Sequence, residues 1–486
     1  SPMIPFAFMK KSVCLLAVCC AACSLAAQVP VWNNPSVGGE GKADSRPEFI
    51  SYPTREAGET GDPANAPHYV SLAGKWRAIV STTRQGGEPG FYKPAFTSTA
   101  WQEVDVPNTS VVQGLSPLEA LTPPQLPAEI PLVQYRAVID VPYLWLDRDM
   151  FIHVEGVGGA YTVYVNDRRI GYSDDSRTPT EFPISEAVTD GVNTIGIEVY
   201  GYSTGNWMET LLPQLQPGSL GGVYVYSQPK LRIEDFVIRT QSDTTKVHGW
   251  VDFAVVMSNS YRSAEKITFG YDIYSTGKLL TYNLIDTEIP GNSTDTLACR
   301  EVLENIWKST AWSPERPSLY KLMLYTRRDG RITEYIPLKF GFNHAELRDG
   351  ELWINDKKAE LSAVDYDAAA DAAATERQLK ILKNQRVNTL CVSYPQPHWF
   401  YELCDRIGFY VIDQANINAG FRKDDRNVGG SVANDPAFLP QFIDRVAGMQ
   451  GRSKNYTSVI ALSMGGMSGN GYNMYKAYQW LKGADS

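Results

Sequence analysis

Near the C-terminal end of the sequence, "SMGGMSGNG" (Ser463–Gly471) follows the apolar run "SVIALSM" and precedes the helix-forming "YNMYKAYQWLKG". A loop at the C-terminal end of an α/β strand is where reactive groups are usually presented. This one carries no acid, no base and no metal ligand, and Met467 stands where a reactive side chain is expected. A thioether neither donates a proton at ordinary pH nor takes one from water. The other residues with chemical potential lie after earlier strand-like runs. They are Asp365 and Asp367, then Cys391, Tyr394, His398 and Trp399, then Asp413, Gln414, Asn416 and Asn418. A pair of aspartates is a candidate for general acid and base work. The plainer reading of Asp365 and Asp367 is two solvated loop carboxylates beside "AAADAAA". Asp413 reads as a structural anchor before it reads as a ligand. Trp399 shares an inward helical stripe with Leu403 and Ile407, so packing is favoured over ring stacking. His398 starts that helix, and no basic neighbour is evident to activate Cys391.

The elements that must position these residues form a repeating pattern. "AELSAV" precedes the helix "TERQLKILKNQR"; "NTLCVS" precedes "HWFYELCDRIG"; "FYVIDQA" precedes a helix opened by Asp435 and Pro436, with Leu439, Phe442, Ile443, Val446 and Met449 on one face. "SVIALSM" and its helix complete four strand–helix units in a row, the pattern of a parallel α/β barrel. A full barrel has eight such units, so the sequence from 342 to 486 is expected to be the first half of one and the chain the N-terminal part of a longer product.

Upstream of this region the grammar is β. From 68 to 235 short alternating segments dominate, including the hairpin "AYTVYVNDRRIGYS" with its turn at Asn166-Asp167, and a jelly roll is expected. From 236 to 341 runs such as "HGWVDFAVVMS" and "YKLMLYTRRDG" predict an immunoglobulin-like β-sandwich. Residues 28–67 are rich in Pro, Gly, Asn and Glu and read as a meandering lead-in. The fold class is therefore multidomain β plus α/β: jelly roll, immunoglobulin-like sandwich and half of a (β/α)8 barrel.

Residues 1–27 read as a signal peptide, with Met9-Lys10-Lys11 as the positive region, Val13–Leu25 as the apolar run and Leu25-Ala26-Ala27 as the cleavage site. Lipoprotein anchoring at Cys23 is the alternative. Ordinary cleavage is preferred, because no large aliphatic residue stands three positions before Cys23. Export to the periplasm or surface of a bacterium is expected, with no transmembrane span in the mature chain. Cys299, Cys391 and Cys404 then remain, too few and too scattered for a disulfide framework or a zinc site. The 486 residues carry a net charge of -9 that is not blocky, so nucleic acid is excluded as a partner. Apolar content of 43% and charge of 20% suit a chain with real cores.

The layout and several motifs resemble family 2 glycoside hydrolases, the β-galactosidase family. "VWNNPSV", "SLAGKWRAIV", "YRAVIDVP", "GVNTIGIEVYGYS", "GFNHAELRDGELWINDKKAEL", "WFYELCDRIGFYVIDQANI" and "NDPAFLPQFIDRVAGMQGRSKNYTSVIALSMGG" are similar to that family's segments in the same order. The resemblance implies a glycosidase fold and a carbohydrate ligand. It also implies that the general acid/base glutamate of Gly-Asn-Glu-Ser is replaced here by Met467, and its Asn by Gly466. Further departures follow. Asp365, Tyr366, Asp367 and Ala368 stand for Asn-Arg-His-Glu, and Cys391 stands for an arginine. Asn418 and Gly420 stand for a carboxylate and an imidazole that in relatives help hold magnesium. Leu211 and Leu212 sit in the sugar-binding domain's normally acidic loop. The family's nucleophile lies on a later strand, beyond Ser486. No catalytic residue and no metal or other cofactor is therefore expected. The candidate carbohydrate-binding residues are Asp365, Asp367, Tyr394, His398, Trp399, Asp413, Asn416 and Asn418. The expected function is an exported, catalytically degenerate member that binds a glycan or partner, the alternative being an active β-galactosidase-like enzyme.

Overall fold

The computed structural model describes residues 28–109, 118–213, 215–242, 247–304 and 311–485. The expected targeting segment lies outside them. Alternation of apolar and polar residues builds two β-sandwiches. In the first, a seven-stranded antiparallel sheet includes Leu132–Val141, Ala160–Val165, Arg168–Ser173 and Gly191–Tyr200, and it faces a four-stranded sheet that includes Arg148–Val154 and Val223–Pro229. Val133, Tyr135, Ile152, Val163, Ile197 and Val225 fill the space between them. The hairpin at Asn166 forms as its sequence suggests, with Asn166 at φ 52, the left-handed geometry of such a turn.

The second sandwich packs a three-stranded sheet against a four-stranded one. Its strand Gly249–Asn259 alternates buried and half-buried residues along its whole length. Its first strand, Leu231–Ser242, pairs only with Gly249–Asn259. The step from one sandwich to the next thus falls just after Pro229, a little before residue 236.

A small three-stranded sheet, Ala345–Arg348, Glu351–Ile354 and Lys357–Lys358, leads into the barrel region. There Ala363–Asp365, Thr389–Cys391, Tyr410–Gln414 and Val459–Ser463 lie side by side, all parallel and in sequence order. The helices Ala372–Asn384, His398–Ile407, Leu439–Ser453 and Tyr472–Ala484 follow them in turn. The first strand is shorter than "AELSAV" suggests, covering only its last residues and Asp365. Asp435 opens the third helical stretch, accepting from the Ala437 amide before Pro436–Phe438. That helix buries more than its apolar stripe, because Gln441, Arg445 and Arg452 are buried as well.

The lead-in is a strap. Gly39–Glu40 adds an edge strand to the first sandwich beside Arg168–Ser173. Lys42 pairs with Asp444 at 2.7 Å and the Ser45 hydroxyl donates to the Gly448 carbonyl, both on the third barrel helix. Tyr52 pairs with Tyr335 in the second sandwich. Among the described residues no helix is long and apolar enough to cross a membrane.

Candidate functional site

The C-terminal ends of the four parallel strands converge on the stretch around Ser393. The Asp367 carboxylate accepts from the Ser393 amide at 2.8 Å and from Gln396 Nε2 at 3.1 Å. Gln414 and Asn418 both donate side-chain amide protons to the Ser393 carbonyl, each at 2.9 Å. Ser463 closes the ring by donating to Gln414 Oε1 at 3.1 Å. Asp365 is exposed at the end of the first strand, in register with Cys391. Burial, with Asp365 nearby, pushes the Cys391 thiol up, so it is not a nucleophile in waiting. Tyr394 is half-buried, and the Arg177 guanidinium lies 4.6 Å from its ring centre.

Met467 is 72% exposed and forms no part of this ring. Its loop is held by backbone, with the Gly466 amide donating to the Ile417 carbonyl at 2.8 Å. The buried Ser468 hydroxyl accepts from the Ala419 amide at 2.9 Å. The loop is thus fixed at the C-terminal end of its strand, with the Met467 side chain exposed.

The loop of the first sandwich that carries Leu211 reaches this mouth. The Asn418 amide donates to the Met208 carbonyl at 2.6 Å, the Leu211 amide to the Asn418 carbonyl at 3.0 Å, and the Gly420 amide to the Thr210 hydroxyl at 2.8 Å. The side chain of Leu211 takes up the space beside Gly420, where an added Cβ would stand 2.6 Å from Leu211 Cδ2. A Cβ on Gly466 would collide with Asn418 Oδ1. Leu211 and Asn418 therefore occupy volume that larger residues at 420 and 466 would need.

The other candidates face away from the mouth. Asp413 is fully buried and turns outward to the helices, accepting from the Tyr401 and Ser453 hydroxyls; burial pushes its pKa up. Strand alternation explains the split, since Gln414 next to it points to the mouth. His398 Nδ1 lies 2.6 Å from the Tyr456 hydroxyl and Nε2 pairs with Glu402 in the next turn. Trp399 packs with the cluster of Leu390, Phe400 and Val411, as its helical position suggests. Asn416 turns into the junction with the first sandwich, donating to Asp175 Oδ1 at 2.7 Å and Glu209 Oε1 at 3.0 Å.

That junction is organised by Arg445, 1% exposed. Its Nη1 donates to the Asn416 carbonyl and Nη2 to the Asp174 carbonyl, at 2.8 and 3.0 Å. Its guanidinium also lies 3.4 Å from Glu209 Oε2 and 4.0 Å from Asp175 Oδ1. Burial alone would lower its pKa, but Asp175, Glu209 and Asp174 hold it above the ordinary arginine value. Burial pushes Asp174 up to about 8, with Arg445 offsetting part of the effect. Among the described residues neither carboxylate oxygen of Asp174 has a hydrogen-bond partner. Arg177 pairs with Glu209 at 3.2 Å. Glu209 is thus the one acid of the Leu211 loop, and it serves the junction and not the mouth. Sequence reasoning missed Arg445, Glu209, Asp174 and Asp175. The available signal was Arg445 four residues before Met449, on the same helical face as Phe442 and Met449.

Three family profiles match the chain consecutively. They are glycosyl hydrolases family 2, sugar binding domain, over residues 94–225; glycosyl hydrolases family 2 over 231–343; and glycosyl hydrolases family 2, TIM barrel domain, over 345–486. The chain belongs to glycosyl hydrolase family 2. A β-galactosidase of Priestia megaterium is 28% identical across 94% of this chain and 47% of its own length. One from Streptococcus thermophilus is 30% identical across 86% of this chain and 42% of its own. The chain thus spans less than half the length of these curated relatives. Among solved structures, a putative β-galactosidase from Bacteroides fragilis covers 92% of the chain with a TM-score of 0.65 and 16% identity, 63% of that chain being matched. Bacteroides uniformis beta-glucuronidase 2 covers 81% with a TM-score of 0.64 and 16% identity, 46% of that chain being matched. In these family 2 terms, Arg445 ties the TIM barrel domain to the sugar binding domain, and the ring around Ser393 lies at the mouth of the barrel.

Proposed function

We propose that this chain is an exported family 2 protein that has given up glycoside hydrolysis and uses the old barrel mouth to bind a carbohydrate or a partner. The observation that carries the reading is the combined replacement at the mouth. By the motif resemblance sulfur stands at the proton-transfer position, Met467, and in the structure Leu211 and Asn418 fill the room beside Gly420 and Gly466. Acid/base assistance at a glycosidic oxygen is commonly worth about 10²–10⁴ in rate, and a thioether supplies none of it. Refilled neighbouring positions mean that a single reversion does not rebuild the site. A β-linked galactoside or related glycan is the proposed ligand class, by likeness to the β-galactosidases named above. Asp365, Asp367, Tyr394 and Asn418 are the proposed contacts, since these face or border the mouth.

The alternative, an active β-galactosidase-like enzyme, draws support from similarity that runs through all three domains. Two measurements on the purified protein separate the readings. Titration calorimetry against β-galactosides is expected to show binding, and a nitrophenyl galactoside assay is expected to show no turnover above buffer. Turnover at an ordinary enzymatic rate, with contaminating hydrolase excluded, overturns the proposal. Failure to bind any glycan leaves only the partner-binding form of it.

A further inference from the structure

Away from the mouth, a cleft of about 300 Å³ runs between the strap, the sugar binding domain and the third barrel helix. On that helix Asp444, Ala447, Gly448 and Arg452 line it, one helical stripe about 12 Å long. The Arg452 side chain is 2% exposed, and among the described residues none of its three guanidinium nitrogens has a hydrogen-bond partner. Its charge is met all the same. Nη2 lies 3.6 Å from Glu48 Oε2, and the guanidinium stands 5.6 Å from the centre of the Tyr401 ring.

Glu48, from the strap, lines the same cleft and is paired in the same incomplete way. His398 Nδ1 lies 3.7 Å from Oε2 and His153 Nε2 lies 3.4 Å from Oε1, yet Oε1 has no hydrogen-bond partner among the described residues. His153 gives its protons elsewhere, Nδ1 to Glu181 Oε2 and Nε2 to Glu155 Oε1, both at 2.8 Å. Burial alone would lower its pKa, but Glu155, Glu181 and Glu48 raise it to about 10, so it is an imidazolium at neutral pH. Arg452 and Glu48 therefore lack hydrogen-bond partners and not counter-charge.

That distinction decides the ligand class. A metal ion entering the cleft would meet Arg452 and the His153 imidazolium. An anion would meet Glu48, Glu181, Asp175 and Asp444, which all line it. A neutral group has to accept from the guanidinium and donate to the carboxylate, and a hydroxyl does both through one atom. We infer that the cleft binds a neutral polyhydroxylated ligand, a sugar residue or a small polyol, whose adjacent hydroxyls sit between Arg452 and Glu48. Ligand pockets span about 300–1,000 Å³, so a cleft at the lower end of that range suits a mono- or disaccharide. Filling it completes the hydrogen bonding of two buried charged groups, which is costly to leave unmade. The site uses none of the residues at the barrel mouth and does not rest on the function proposed for it.

The test follows hydrogen exchange in the full chain, peptide by peptide, during titration with methyl β-galactoside, lactose, glycerol and sodium sulfate. The expected result is saturable protection of the strap at 39–48 and of the helix at 444–452 by the two sugars. Equal protection by glycerol supports the same diol contact and assigns it to a free polyol. Arg452→Met should weaken the protection about 10–100-fold, as the loss of hydrogen bonds from a charged group does. Ala447→Phe, which fills the cleft and leaves every charge in place, should abolish it; this variant decides if Arg452→Met does not fold. Protection by sulfate alone, no saturable protection by sugar or glycerol, or unchanged affinity in Ala447→Phe overturns the inference. Mouth binding is read from separate peptides around Leu211 and Asn418, so failure here and failure of the proposed function are told apart.

Discussion

The junction between the sugar binding domain and the barrel differs sharply from the barrel mouth, although the two are neighbours along one loop. At the junction Arg445 is met by Asp174, Asp175 and Glu209 from the other domain, and Asn416 ties two of those acids together. At the mouth the corresponding loop offers Leu211, the barrel offers Gly420 and Gly466, and the tip of the catalytic-type loop is Met467. At the junction polar groups hold the domains together, while at the mouth Leu211 and Asn418 pack against Gly420 and Gly466. A buried ion cluster is costly to break from one side, so its members are coupled. An exposed side chain such as Met467 has no such coupling.

The contrast is sharpest in stability. Arg445→Met leaves Asp175 buried without its counter-charge and Glu209 with Arg177 alone, and should destabilise the chain by about 3–5 kcal/mol. A urea midpoint unchanged from the parent would erase the distinction between the two regions. At the mouth the expected effect is steric. Gly420→His meets Leu211 and should lose about 1–3 kcal/mol by overpacking. Adding Leu211→Ala should recover much of that, as a coupling of about 0.5–3 kcal/mol in a double-mutant cycle. Strict additivity would mean that Leu211 is not what fills the space.

A third effect depends on pH. Burial holds the Asp174 pKa at about 8, against about 3.9 in an unfolded chain. Between those values the native state keeps a proton that the unfolded state releases, so this group's contribution is complete below the lower value and is lost as pH rises to the upper one. Asp174→Asn cannot ionise. From about pH 5 to pH 8 the parent should therefore lose up to about 3–4 kcal/mol relative to the variant. Parallel pH profiles of the urea midpoint would show an Asp174 that is ionised throughout. The smallest effect belongs to Asp365→Asn, at an exposed position, where stability should stay within about 0.5 kcal/mol. A larger drop would place Asp365 in the structural set.

Much of the fold was open to sequence reading because it rests on local periodicity. The alternation around Asn166 and the strand–helix repeats after residue 342 each specify their own element, and all four repeats form. The first barrel strand came out shorter because only Ala363–Asp365 finds a parallel partner in Thr389–Cys391. At the mouth the sequence names residue types, such as the Met467 thioether, but not their orientation. Where orientation decides, the sequence was silent. Asp413 and Asn416 turn away from the mouth for reasons of strand alternation and domain docking. Glu209 looks like a mouth acid until its partner Arg445 is located.

The strap carries a consequence for biosynthesis. Lys42 and Ser45 find their partners Asp444 and Gly448 about four hundred positions further on, separations of 402 and 403 residues. A ribosome releases the strap long before the helix it must grip. The two sandwiches can close while this arm still waits, and the molecule is fastened only once the third barrel helix has been made.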